Sequence, residues 1–479
     1  MADYEPVIGL EIHVHLQTRT KMFCGCELSF GDEPNVHTCP VCLAHPGVLP
    51  VVNEQAVRFA LMIAAALGCD VAPRSIFHRK NYFYPDNPKA YQISQYDIPL
   101  ARNGRLEEVR IHRVHLEEDA AKMIHVGESG RIHGSGASLV DFNRAGTPLV
   151  EIVTEPDLRS AAEAHRWAKM LQTTIRQLRV SDVRMEEGSL RVDGNVSVRP
   201  SGSEELGTKT ELKNMNSFRF LEQGIGAEIE RQRGLLEAGD AVTQETLHFD
   251  PVDGTLTPLR SKEYEHDYRY FPEPDLVPLA PGEEMLREAA EALPELPGER
   301  AERYREQLGL APEVASLLAA DSQTAGYFEQ ALEAGDGSDP KAIANWVTGE
   351  LAAALRQGGE DVGPAESKVE PESLAKLVAM VQAKQVSHGS AKQVLAQLVA
   401  SGGEPAEIVE REGLGQIADS SELEAIVESA IEAEPEAAEE VRNGNQKAIG
   451  RIVGAVMKQT KGRADGGEVQ RLIREKIGS

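Results

Sequence analysis

Glu11-Ile-His13 places a carboxylate and an imidazole two residues apart. On a strand that spacing aims both at one face. The pair suits a divalent cation, or a base with an orienting partner, or else a plain solvent-facing strand edge. Glu117-Glu118-Asp119 closes a strand-like run. Adjacent carboxylates repel, so a cation or a basic side chain such as Lys122 must offset them unless they form an exposed acidic turn. Glu151 lies inside the apolar run Pro148-Leu-Val-Glu-Ile-Val153. A lone buried carboxylate is costly, so it requires a metal, a base or a backbone donor.

Cys24-x-Cys26 and Cys39-x-x-Cys42 stand twelve residues apart. In a reducing compartment two such close pairs read as a zinc site, closed and structural when all four ligands are thiolates. A fifth cysteine, Cys69, falls in a helical pattern and is expected to be buried. The run from Arg79 to Tyr96 interleaves cations, tyrosines and two prolines, including Lys80, Tyr82 and Lys89. It could stack a ring and pair phosphates, or pack on its own tyrosines as a structural loop. Lys209, Glu211 and Lys213 alternate along one predicted strand face, either a ladder beside phosphate or a salt-bridged outer surface. No GxxxxGK[ST], GxGxxG or GxSxG string is present, so any nucleotide would need a different phosphate site.

These residues need a frame. Gly9 to Leu16 alternates, with Ile12, Val14 and Leu16 on one face and Glu11, His13 and His15 on the other. Val109–Leu116 and Leu190–Val198 also read as strands, and Asp193-Gly194 is either a tight turn or part of one long strand. Asn53 caps a helix ending at Gly68, and Ser160-Ala-Ala-Glu163 opens a second. The fold class is α+β. Residues 1–293 form a mixed, largely antiparallel sheet domain. Leu293–Gly298 reads as a linker, residues 294–403 form an all-α domain and 404–479 a small all-α tail. Within the second domain, Asp339-Pro340 starts a helix to about Arg356, followed by Pro371–Lys384 and Ser390–Ala400.

The 479 residues carry a net charge of −27, which excludes a uniformly basic nucleic-acid coat. The tail is segregated. Glu404–Glu440 holds thirteen acidic residues and one basic, and Arg442–Ser479 holds nine basic and three acidic. Its basic end either faces nucleic acid or neutralises the acidic helices. No apolar run reaches transmembrane length, and the acidic start Met-Ala-Asp-Tyr-Glu-Pro lacks signal-peptide features. The sequence therefore predicts a cytoplasmic protein with no membrane partner.

Val7–Val14, Arg79–Ser94, Glu117–Asp119, Asp141–Leu149 and Asp267–Asp275 together resemble one family, the B subunits of the glutamyl-/aspartyl-tRNA amidotransferases. The resemblance spans essentially the whole chain. It implies a cradle-like catalytic domain, a helical linker and a tail that contacts tRNA. It also implies a heterotrimer with an amidase-type glutaminase A subunit and a small C subunit. The implied activity is ATP-dependent phosphorylation of the side-chain carboxylate of Glu-tRNA(Gln) or Asp-tRNA(Asn), then amidation by ammonia from the A subunit. By similarity Glu11, His13, Glu118 and Glu151 would bind Mg2+, while Lys80, Tyr82 and Glu118 would stand at the ammonia exit. Lys209, Glu211 and Lys213 would line the ATP site, and Cys24, Cys26, Cys39 and Cys42 would hold structural Zn2+. Lys447, Arg451, Lys458, Lys461 and Arg463 would meet the tRNA backbone. Two other readings remain: a non-catalytic zinc-containing tRNA-binding scaffold, and a free-standing carboxylate–amine ligase that makes no use of tRNA.

Overall fold

The computed structural model describes residues 4–126, 135–213, 215–251, 253–261, 268–335, 337–357, 362–416, 420–443, 445–460 and 462–478. Contacts divide the chain into two units, Met1–Leu296 and Pro297–Ser479.

In the first unit the strands are β1 (Tyr4–His15), β2 (Asp70–Val71), β3 (Phe77–Asn81), β4 (Tyr91–Gln95), β5 (Ala101–Leu106), β6 (Val109–Glu118), β7 (Lys122–Val126) and β8 (Ala137–Asp141). They continue with β9 (Pro148–Thr154), β10 (Leu190–Pro200), β11 (Thr210–Lys213), β12 (Glu245–Asp250), β13 (Thr255–Ser261) and β14 (Phe271–Pro272). Nine of them form one sheet in the order β13-β12-β11-β10-β1-β9-β6-β5-β2, with β14-β3-β4 and β7-β8 as smaller sheets. All pairs are antiparallel except β11 with β12. The helices are α1 (Glu54–Ala66), α2 (Ala161–Leu178), α3 (Phe218–Ala238) and α4 (Glu283–Glu291).

The period-two alternation of β1 sets the two faces of the large sheet. Ile8, Leu10, Ile12 and Val14 are buried with Val150, Ile152, Val192 and Val196 of the flanking strands. Leu61 of α1, Trp167 and Leu171 of α2, and Leu221 and Ile225 of α3 complete that core. Each such Ile, Leu or Val stabilises the fold by roughly 1.5–3 kcal/mol through burial. Local signals start the helices. Asn53 accepts from the Gln55 and Ala56 amides, and Ser160 accepts from the Glu163 amide. The Glu163 carboxylate reaches back to the Arg159 amide at 2.8 Å, one residue before the cap.

Asp193-Gly194 is not a turn. β10 runs unbroken through it, because β1 pairs with it from Leu190 to Pro200. Gly194 makes no bend, and it packs toward Ile225 of α3, which a Cβ there would meet at an ordinary contact distance of 3.5 Å. Cys69 lies beyond the end of α1 rather than within it, and it is only half-buried.

The second unit is helical: α5 (Pro297–Leu308), α6 (Pro312–Ala319), α7 (Ser322–Ala334), α8 (Pro340–Asn345), a π-helical turn Trp346–Leu351, and α9 (Ala352–Gln357). α10 (Pro371–Gln382), α11 (His388–Ser401), α12 (Pro405–Glu412), α13 (Ser420–Ala433), α14 (Pro435–Arg442), α15 (Ile449–Gln459) and α16 (Gly466–Gly478) follow. Their apolar residues form two clusters, one from Tyr304 to Leu414 and one from Leu423 to Ile477. Ile408 of α12 packs with the first, although the sequence places α12 in the tail.

Candidate active site

The face of the large sheet opposite the helices carries charge. Register makes a row across four strands, because His115 of β6 is level with Glu151 of β9, Glu151 with His13 of β1, and His13 with Arg191 of β10. In the adjoining row Glu11 is level with Asp193, and Asn195 beyond it is level with Glu211 of β11. Side chains paired this way share a face.

Contacts follow. Glu151 meets His13 Nε2 at 3.5 Å, His115 Nε2 at 3.4 Å and Arg113 at 3.5 Å. Glu117 lies 3.9 Å from His115 and accepts from the Gln92 amide at 2.6 Å, while its Oε2 is buried with no hydrogen-bond partner. One ligand atom each from His13, Glu117 and Glu151 lie within 4.8 Å of one another. Glu11 accepts from the Asn195 amide at 2.9 Å.

Burial opposes every charge here, yet the partners prevail. It favours neutral Glu151, but His115 and His13 hold its pKa well below the usual carboxylate range. Burial likewise opposes ionised Glu117, and the Lys80 ammonium and His115 outweigh it. For Lys80, burial is overruled by Glu117, Tyr270 and Glu151, which raise its pKa. His13 and His115 are raised despite desolvation, chiefly through Glu151. One residue past β6, buried Asp119 is held ionised against desolvation by Arg191, Arg144 and His15. His15 Nε2 lies 2.6 Å from it and Arg191 3.0 Å.

Two adjoining cavities open over this face. The larger, about 1080 Å³, is lined by His13, Lys80, Tyr82, Glu117, Arg191 and Arg269 among others. The smaller, about 180 Å³, shares His13, Lys80 and Tyr268 with it and adds Glu11, Glu151, Lys209, Glu211 and Lys213. Lys213 bridges Asp193 at 3.4 Å and Glu211 at 3.1 Å. Its pKa is raised because those carboxylates outweigh burial.

Lys80 reaches the site from β3, its ammonium 5.3 Å from the Tyr268 ring centre. β3 is anchored by Arg79, whose guanidinium binds Glu273 at 2.7 and 2.8 Å and lies over the Tyr91 ring. Tyr82 lines the larger cavity, and burial raises its phenol pKa.

The structure does not bring Glu118 to this cluster. It accepts from the Ile93 amide at 3.0 Å and from the Lys89 ammonium, and lines a separate pocket of about 230 Å³ with Lys21, Cys24, Cys42 and Tyr91. Strand alternation places it with Val114 and Leu116, whereas Glu117 faces the cleft with Arg113 and His115. Glu117 and Asp119 belong to the acidic run that the sequence marks, whereas His115 and Arg191, which complete the cluster, carry no such mark. His115-Leu-Glu117 repeats the two-residue spacing of Glu11-Ile-His13, which is the signal that would have found His115.

The Sγ atoms of Cys24, Cys26, Cys39 and Cys42 also fall within 4.8 Å of one another, and all four are free thiols. The donor set fits tetrahedral zinc with no open position. A hydrogen bond from Cys24, a backbone amide and nearby Lys21 favour the thiolate at Cys42, while the thiol of Cys24 is pushed up by that same bond and by burial. Buried Lys21 anchors the cluster, its ammonium 3.6 Å from Cys42 Sγ and 3.0 Å from the Phe142 carbonyl.

In the second unit Lys447 and Lys458 are exposed, Arg463 is half-buried, and Arg451 pairs with Glu440 at 2.8 Å. Lys461 lies outside the described residues. No helix among the described residues is long and apolar enough to cross a membrane.

Residues 6–287 match the family described as GatB/GatE catalytic domain, and residues 326–477 match the GatB domain. The chain is 48% identical to the B subunit of the aspartyl/glutamyl-tRNA(Asn/Gln) amidotransferase of Carboxydothermus hydrogenoformans, over all of this chain and 99% of that one. It is 46% identical to the corresponding protein of Brevibacillus brevis over the full length of both. The Moorella thermoacetica counterpart, of the same description, is 48% identical over 99% of this chain and all of its own.

Proposed function

The chain belongs to the B-subunit family of the aspartyl/glutamyl-tRNA(Asn/Gln) amidotransferases, and on that premise we propose that its charged sheet face activates the side-chain carboxylate of Glu-tRNA(Gln) or Asp-tRNA(Asn) with ATP and passes it to ammonia. The observation that carries this reading is the convergence of His13, Glu117 and Glu151 beside a cavity of about 1080 Å³.

A carboxylate resists ammonia because it is anionic and lacks a leaving group. In the first step a substrate carboxylate oxygen attacks the γ-phosphorus of ATP, the bond to ADP breaks and an acyl phosphate forms. In the second, ammonia attacks the acyl carbon, the C–O bond to phosphate breaks and the departing phosphate takes the surplus proton. His13, Glu117 and Glu151 would hold Mg2+, for which the partnerless Glu117 oxygen and the Glu151 carboxylate are the hard oxygen donors, with the His13 imidazole beside them. Bound there, the cation would offset charge on the transferring phosphoryl group. Glu11 lies on the same face and is a further oxygen donor. Lys80 presents a fixed ammonium to the anionic acyl phosphate, and Tyr82 borders the space where ammonia arrives. Lys209, Glu211 and Lys213 stand in the adjoining cavity where the nucleotide would lie.

Ammonia must arrive unprotonated, and therefore shielded. The A subunit, an amidase-type glutaminase, would supply it, with the C subunit holding the pair together. A narrow slot lined by Tyr82, Lys89, Gln92, Glu118 and Asp119 lies between the larger cavity and the pocket beside the cysteines. On this reading Glu118 acts at that slot, and its placement there supports a gate rather than a metal ligand. The cysteines carry structural Zn2+. The basic end of the tail, with Lys447 and Lys458, contacts tRNA phosphates.

Reconstitution with the A and C subunits tests this. ADP formation that depends on charged tRNA, lost on Glu151→Ala while tRNA binding persists, is expected. Full amidation by Glu151→Ala would leave the chain a tRNA-binding scaffold instead.

A further inference from the structure

Phe83 stands at the rim of the larger cavity with 94% of its surface exposed, more than any other large apolar side chain among the described residues. The loop that carries it is tied down rather than loose. The Tyr82 amide donates to the Ala90 carbonyl at 3.2 Å, the Asn87 amide to the Tyr84 carbonyl at 3.0 Å, and the Ala121 amide to the Asp86 carbonyl at 2.9 Å. The Asn87 side chain adds a bond to the Tyr82 carbonyl at 3.2 Å. A slack loop would fold its phenylalanine inward, whereas this one presents it.

A cation shares the rim. Arg269 lines the same cavity and is exposed, with φ at 44°, a left-handed conformation unfavourable for a residue with a Cβ. It is pinned there by the Asn81 amide, which donates to its carbonyl at 2.8 Å. An exposed aromatic ring and an arginine whose backbone is held at the rim of the same cavity are the chemistry that takes a nucleotide, the ring stacking its base and the cation pairing its phosphate. Beyond that rim lies the His13, Glu117 and Glu151 cluster.

We propose that Phe83 is the stacking platform for the terminal adenine of the charged tRNA, the nucleoside that carries the aminoacyl ester, with Arg269 facing the adjoining phosphate. Stacking there fixes how deep the esterified side chain reaches toward the metal cluster. The inference rests on the tRNA-dependent reading above.

The test is steady-state amidation by the reconstituted complex with charged tRNA varied, for the parent chain, Phe83→Ala, Phe83→Trp and Phe30→Ala. Phe30 is 76% exposed in the cysteine segment and stands as the control for losing any exposed aromatic ring. Phe83→Ala should raise KM for charged tRNA about ten- to hundredfold, the effect of losing one stacked base, with a much smaller change in kcat. Phe83→Trp should restore most of the loss, and Phe30→Ala should leave KM in place. An active Phe83→Ala complex with unaltered KM overturns the proposal. So does a Phe83→Ala chain that no longer assembles with its partners, because Phe83 would then be a subunit contact. A parent complex that amidates no tRNA at all would strike the tRNA-dependent reading instead.

Discussion

Glu117 and Glu118 are consecutive on β6 but serve opposite faces of one sheet. Glu117 turns to the cleft beside His13 and Glu151, and Glu118 turns to Lys89 and the Ile93 amide. A single peptide step therefore separates a metal-ligand candidate from the carboxylate of a buried ion pair, and the two should fail differently.

Glu117→Gln should lower ATP-dependent activation about a hundredfold or more, since the cation it helps hold is worth several kcal/mol to phosphoryl transfer. Glu118→Gln should keep tRNA-dependent ADP formation and lose amidation from glutamine more than amidation from added ammonium salts. Parallel assays of ADP and amidated product distinguish them. Equal losses in both variants and both readouts would contradict the assignment.

The cysteine cluster should carry about one equivalent of zinc per chain, as a four-thiolate site does. Cys42→Ser should release it and lower the melting temperature of the metal-loaded protein by more than about 5 °C, because metal binding is folding free energy. Metal analysis and a thermal melt check both. A zinc-free parent chain with the same melting temperature would refute the site.

Asp157 accepts from the Arg110 backbone amide at 3.0 Å and from its guanidinium at 2.9 and 2.7 Å, tying the start of β6 to the segment before α2. The Arg110 hydrogen bonds hold its pKa below the usual value. A depressed carboxyl contributes stability that is complete above its unfolded-state pKa and disappears as pH falls through the folded-state value. Asp157→Asn should therefore melt lower at neutral pH by an amount worth about 1 kcal/mol, and the gap should close in acid. A gap that is constant or wider at low pH would contradict this.

In the tail, Lys447→Glu with Lys458→Glu should raise KM for charged tRNA and reduce the salt dependence of binding by about two phosphate contacts, one per lysine. Filter binding across a salt series measures it. An unaltered slope would leave the basic end as a solvated surface.

Much of this was legible in the residues. Caps such as Asn53 and Ser160 act within three residues, so their helices could be placed from sequence, and β1 announced its two faces by strict alternation. β6 was harder. Its buried apolar positions run 109 and 111, then 114 and 116, because the register shifts between Ile111 and Arg113. That bulge reverses which residues face the cleft and sends Glu118, in step with Leu116, to the covered side. Leu116 marked the change of parity, but only pairing with β9 shows what it means. The Arg191–Asp119–His15 contacts were hidden for another reason, since they join strands far apart in sequence and depend wholly on strand order. Asp193-Gly194 misled in the other direction: a dipeptide that favours turns is overridden when a neighbouring strand pairs along its full length.

Anomalous diffraction from crystals soaked in Mn2+ and an ATP analogue tests the central claim most directly. The account predicts a peak within coordination distance of His13, Glu117 and Glu151 and none at Glu118. A peak at Glu118, or a cleft that stays without metal at saturating Mn2+, would contradict it.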